Sequence, residues 1–149
     1  MARKTRKVHK YRRPGKSLIA SGKLNPIQWH KIPFGEIARA LKDHAGLFVK
    51  EVKKVRHLKH QVCISYITTE GKICSSFFSY RIFESWQKAV ERLIYACPSL
   101  KELYILSRHI QYDLDYFPYP VEISDAIAFN LENRSSQLNA AIAQAALSV

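Results

Sequence analysis

Apolar residues recur along this chain with two different periods, and the changes between them divide it into elements. In "FGEIARALKDHAG", Phe34, Ile37, Ala38, Leu41 and Ala45 share one helical face, with Glu36, Arg39, Lys42 and Asp43 opposite and Gly46 as the stop. The next segment, 47–58, fits either period. Phe48, Val52 and Val55 continue the helical spacing, but β-branched and aromatic content favours a strand, and a strand is the reading adopted.

"QVCISYITTEGKICSSFFSY" alternates as a hairpin does. With Glu70-Gly71 as a two-residue turn, Ile64 faces Phe77 and Thr68 faces Ile73, which places Val62, Ile64, Tyr66, Ile73 and Phe77 on one face. Cys63, Ile67, Cys74 and Phe78 make the second face, also largely apolar. The hairpin is therefore expected to be covered on both sides. "RIFESWQKAVERLIYACP" returns to the helical period through Ile82, Phe83, Trp86, Ala89, Val90, Leu93, Ile94 and Cys97, ending at Pro98.

"KELYILSRHIQYDLDYF" reads as a further strand running into "DYFPYP", where the prolines impose a turn or packed loop. Residues 124–147 are rich in helix formers, with Ile127, Leu131, Leu138, Ile142 and Ala145 forming one apolar stripe that Arg134 interrupts. Such a helix is expected to cover its own domain rather than to pair with a second copy. The expected architecture is α+β: a central antiparallel sheet of three to four strands packed by helices, a disordered basic N-terminal arm over 1–24, and a single domain over 25–149 that includes the C-terminal helix.

Composition supports that division. At 149 residues and 47% hydrophobic the chain is long enough to bury one core. Its 24 Lys and Arg stand against 12 acids, for a net charge of +12, and eight of the cations lie in the first sixteen residues, "MARKTRKVHKYRRPGK". Beyond Leu100 the balance reverses: three basic residues (Lys101, Arg108, Arg134) face six acids. Charge crowded at one end raises the local concentration of polyanions, so a nucleic acid is the expected partner. An address label for organelle import and a solvated tail are the competing readings of the arm.

No apolar run reaches the length of a membrane span, and no membrane partner is expected. Cys63, Cys74 and Cys97 are odd in number and match no disulfide framework, which points to reduced thiols and a cytoplasmic setting.

Two groups of cations are the expected binding residues. The arm supplies Arg3, Lys4, Arg6, Lys7, Lys10, Arg12, Arg13 and Lys16 for phosphate contacts. Lys53, Lys54, Arg56 and Lys59 lie in a second basic stretch, 50–60, whose one acid is Glu51, and they would fix the folded body against the same backbone. An edge strand carrying lysines against aggregation is the plain alternative for that stretch. Nearby aromatics could stack on bases; of Tyr66, Phe77, Phe78, Tyr80 and Trp86, Phe77 and Trp86 are assigned to the core and Tyr80 is the least committed.

In element order, helix, three strands and helix over 34–97 resemble the double-stranded-RNA-binding domain. The Lys-Lys pair typical of the second helix start is replaced by "YRIFES", so membership is not assigned and groove-spanning contact of that kind is not implied. Enzyme signatures are thin. Asp113 and Asp115 in "YDLDY" would share one strand face and so could hold a divalent cation as nucleases do, but a third carboxylate and a partner Lys are missing. His57, His60 and Cys63 complete no zinc pattern, and the five glycines make no phosphate loop.

The chain is accordingly expected to be a non-enzymatic nucleic-acid-binding protein, RNA ahead of DNA, with no cofactor and no metal. An assembly subunit of a larger ribonucleoprotein complex, docking protein partners, is the first alternative and a metal-dependent nuclease the second.

Overall fold

A computed structural model describes Leu24 and residues 32–148. Helix α1 (Phe34–Ala45) closes where Gly46 takes the left-handed conformation, φ 68°, and Leu47 N–H bonds Leu41 O at 2.9 Å. Its buried face is Ile37, Ala40 and Leu41, while Phe34 is 52% exposed, so the inward stripe is rotated from the expected one. The ambiguous segment is a strand, β1 (Val49–His57), followed by β2 (Val62–Thr68) and β3 (Ile73–Phe78) in one antiparallel sheet of order β1-β2-β3. This is the α+β architecture expected, with three strands.

The hairpin register differs by one residue from the expected one. Ile67 pairs with Ile73, Ile64 with Ser76 and Cys63 with Phe77, because the loop holds three residues, Thr69 to Gly71, rather than two. Thr68 N–H bonds Lys72 O at 2.8 Å, Gly71 N–H bonds Thr68 O at 2.9 Å, and Gly71 adopts φ 90°, a value that only glycine reaches without strain. A one-residue slip exchanges the faces of a whole strand. Cys74, Ser76 and Phe78 therefore turn inward beside Tyr66, Ile64 and Val62, while Ile73 and Phe77 turn outward and are 80% and 58% exposed. Among the described residues the core packs on the Val62, Ile64 and Tyr66 side, while on the other side Ile73 and Phe77 are exposed and Cys63 between the strands is 8% exposed.

A 3-10 turn (Tyr80–Ile82) leads into α2 (Glu84–Ala96), whose Trp86, Val90 and Ile94 are buried as the spacing required. Phe83 at its N-cap offers no capping side chain. Glu36 of α1 fills that role across the fold: Ser85 N–H donates to Glu36 Oε2 at 2.6 Å and Ser85 Oγ to Glu36 Oε1 at 2.8 Å.

The segment expected to be a fourth strand is a helix, α3 (Leu100–Tyr116). Ser99 and Glu102 stand at capping-box spacing, with Ser99 Oγ accepting the Glu102 N–H at 3.3 Å, and Leu103, Leu106 and Ile110 recur at helical intervals on the buried face. Local capping and the 3.6 period outweigh the β-preferring Tyr, Ile and His content. The last helix, α4 (Val121–Leu147), starts three residues before the expected Ser124, directly after Pro120. Ile123, Ile127 and Leu138 bury against the body, whereas 139–148 are exposed throughout, Ile142 at 56%.

All these apolar faces meet in one core that runs from Leu24 and Ile32 through Leu41, Val62, Ile64, Phe83 and Trp86 to Ile110 and Ile127. It lies on one side of the sheet, so the helices and the sheet form two layers.

Candidate nucleic-acid interface

Paired residues of an antiparallel sheet share a face, and β2 fixes which face is which. Val62, Ile64 and Tyr66 point into the core, so Cys63, Ser65 and Ile67 point away from it. Across the sheet this outer face has three rows: Arg56, Cys63 and Phe77; Lys54, Ser65 and Ser75; Glu51, Ile67 and Ile73. Strands stand about 4.8 Å apart and alternate residues about 6.8 Å apart, so the face measures about 10 by 14 Å.

Its chemistry is graded from edge to edge. Along β1 stand the exposed Lys54 and Arg56, which form no ion pair among the described residues. In the middle Ser65 Oγ and Ser75 Oγ lie 3.4 Å apart, and Cys63 Sγ is 3.6 Å from Ser75 Oγ. Along β3 stand the exposed Ile73 and Phe77.

Strand β1 is bulged twice, between Val49 and Glu51 and between Val52 and Lys54, and the extra residue is a lysine both times, Lys50 and Lys53. Bulged lysines on an edge strand stand where they block pairing with another chain, the geometry that the plain alternative for the basic stretch describes. Lys53 also lies 3.6 Å from Glu51. Lys54 and Arg56 are different: they sit in regular pairing, on the uncovered face. Lys59 is exposed in the β1–β2 connection. The eight arm cations, Arg3 to Lys16, lie outside the described residues.

Of the aromatics, Tyr66, Tyr80 and Trp86 are core, and Tyr80 OH donates to Leu58 O at 2.5 Å. Burial raises the Tyr80 hydroxyl from its ordinary value of 10 to about 12. Phe77, assigned to the core from the sequence, is the aromatic of the open face, and the one-residue register slip is what moved it. Ser65 and Ser75 were not singled out, and Ile67 and Ile73 were placed on hairpin faces only; the alternation of small hydroxyls with large apolar residues in "CISYI" and "ICSSFF" is the signal that carried them.

Asp113 is not available to a metal in the way its sequence context implied. In a helix it stands about 200° around the axis from Asp115, and the two do not share a face. Asp113 is fully buried and grips Arg81 with both oxygens: Nε–H to Oδ2 at 2.7 Å and Nη2–H to Oδ1 at 2.6 Å. Tyr119 O–H donates to Oδ2 at 2.5 Å and accepts Trp86 Nε1–H at 2.9 Å, and the guanidinium carbon stands 3.7 Å from the Phe117 ring centroid. Burial, then the Asp113 charge, pushes the Tyr119 hydroxyl well above its ordinary value. This cluster clamps the 3-10 turn to α3 and to the "DYFPYP" loop.

Among the described residues no group of three or more His, Cys, Asp or Glu is placed to hold a metal, Cys63 and Cys74 are free thiols, and no helix is long and apolar enough to cross a membrane. The chain matches no protein-family model, no curated protein and no solved structure with significance.

Proposed function

We propose that this protein binds nucleic acid without catalysing a reaction, RNA ahead of DNA, and that Lys54 and Arg56 anchor the phosphate backbone on the folded domain. One observation carries the reading: two cations with no acidic partner among the described residues stand in register on a sheet face that the described helices leave uncovered. A phosphate backbone is the polyanion such a row fits, and the basic arm would extend the contact beyond the domain.

Salt titration tests this. If the arm and the two sheet cations neutralise about six phosphates, affinity falls on the order of a thousandfold between about 50 and 200 mM salt. Removing residues 1–16 flattens that slope, and Lys54→Ala with Arg56→Ala flattens it further. Binding with no salt dependence, or none at low ionic strength, sinks the proposal.

A subunit of a larger ribonucleoprotein is the second reading, and the outer side of α3 supports it. Tyr104, Ile105, Tyr112 and Tyr116 are exposed there beside Lys101 and Arg108, and the Tyr112 and Tyr116 rings stand 4.5 Å apart. Tyr and Arg are the residues enriched at the centres of protein interfaces. A protein that stays bound after nuclease digestion of the lysate, and is released by Tyr104→Ala with Tyr112→Ala, identifies this second surface as a docking face.

A further inference from the structure

We infer that the open sheet face takes an unpaired polynucleotide strand, with its phosphates along β1 and a base stacked on Phe77; this rests on the nucleic-acid reading above and specifies its ligand. Three features of the face select a single strand over a duplex. The first is the one-sided placement of charge. Lys54 and Arg56 form a single line along one edge, and Glu51 ends that line with an acid, so the face offers a track for one backbone and not for two flanking a groove.

The second is the apolar half. Ile73 at 80% and Phe77 at 58% exposure, with Ile67 beside them, would stay wet or be pressed against sugar and phosphate if a duplex lay here. Unpaired bases present apolar faces of the matching kind, and base–aromatic stacking tolerates any base. Arg56 and Phe77 belong to the same row, two strands apart, hence about 10 Å from each other. A backbone held at Arg56 therefore extends its base inward over the sheet.

The third is the middle of the face. Ser65 and Ser75 put two small hydroxyls, each donor and acceptor, between the cationic edge and the apolar one, where sugar and base edges of a strand so placed would lie. The dimensions of the face, about 10 by 14 Å, hold two or three nucleotides, as other sheet platforms for unpaired RNA do.

The test uses the full chain and labelled probes of about twelve nucleotides: oligouridylate, oligothymidylate and a duplex of equal length, read by fluorescence anisotropy at low salt. Wild-type protein binds the unpaired probes more tightly than the duplex. Phe77→Ala weakens the unpaired probes on the order of tenfold and leaves the duplex unchanged, whereas Phe77→Tyr, which keeps the ring, stays near wild type. Ile73→Ser, at an even more exposed position, gives a smaller loss of the same kind, and thermal melts show both variants folded.

Lys54→Ala with Arg56→Ala weakens every probe. If that double variant loses binding while Phe77→Ala and Ile73→Ser match wild type, or if the duplex binds as tightly as the strands, the platform is wrong and the general nucleic-acid reading stands. If wild-type protein binds none of the three, both fall. The relative affinities of the two unpaired probes decide between RNA and DNA.

Discussion

Arg81 and Arg56 carry the same guanidinium in opposite circumstances, and the two regions that hold them divide the molecule's polar chemistry. Arg81 is 4% exposed, with a carboxylate on its fork, the Ser79 hydroxyl accepting from its backbone N–H and Nη1 at 3.1 and 3.2 Å, and an aromatic ring over its plane. Arg56 is exposed on an uncovered sheet face and has no acid for a partner among the described residues. A buried charge must be matched group by group, and a matched group has nothing left for a ligand. An exposed charge stays hydrated at little expense and can exchange water and counterions for phosphate. The difference between the two separates a charge matched within the core from one left to solvent more sharply than charge itself, which is equal in both.

Breaking the buried region gives the largest effect. Asp113→Ala leaves Arg81 uncompensated in the core and is expected to lower stability by about 3–5 kcal/mol in urea denaturation. Replacing both partners together, Arg81→Met with Asp113→Leu, recovers most of that loss, because the damage comes from the orphaned charge and not from the missing pair. A mild Asp113→Ala would mean that water reaches the clamp and that the two regions differ less than their exposure implies.

Alkaline pH acts on the same region at intermediate size. Tyr119 and Tyr80 hold their protons to higher pH when folded than when unfolded, so above the unfolded value of about 10 the unfolded chain releases protons first. Their contribution is complete below about pH 10 and fades as pH climbs from there toward 12. Each ring removes on the order of 1 kcal/mol by pH 11. Denaturation midpoints at pH 8 and 11 measure this, and Tyr119→Phe shows a shallower fall between them. Next in size is Glu36→Ala, which strips α2 of its cap from across the fold and costs about 1 kcal/mol.

How far the sequence revealed each region follows from which interactions are local. Helices α1, α2 and α4 and the three strands were legible because apolar period and turn residues lie within each segment. Segment 100–116, expected as a strand, is a helix whose start is written locally, in Ser99 and Glu102 at capping-box spacing. The hairpin failed at a finer level. Pairing Ile73 with Thr68 or with Ile67 looks alike as a pattern, but a two-residue type I′ turn would need positive φ at Glu70 as well, whereas the three-residue loop needs it at one residue, Gly71, with φ 90°. That one residue sent Phe77 to the open face. Lys54 and Arg56 were found as cations, but their separation from the bulged Lys50 and Lys53 depends on β1–β2 register. The partner of Asp113 lies 32 residues earlier in the chain, at Arg81, and no spacing rule reaches it.

The smallest stability effect is the most informative one for the open face. Lys54→Ala, Arg56→Ala and Ser65→Ala each change residues that the core does not use, so unfolding free energies are expected to stay within about 0.5 kcal/mol of wild type. Phe77→Ala removes a ring already 58% exposed and stays close to that range. Among the described residues Lys54 and Arg56 have no acidic partner, and with Ser65, Ser75 and the exposed Phe77 they occupy a face that the core does not use. If Lys54→Ala or Arg56→Ala instead lowers the urea midpoint as much as Glu36→Ala does, those cations belong to the fold, and the contrast between the clamp and the open face collapses.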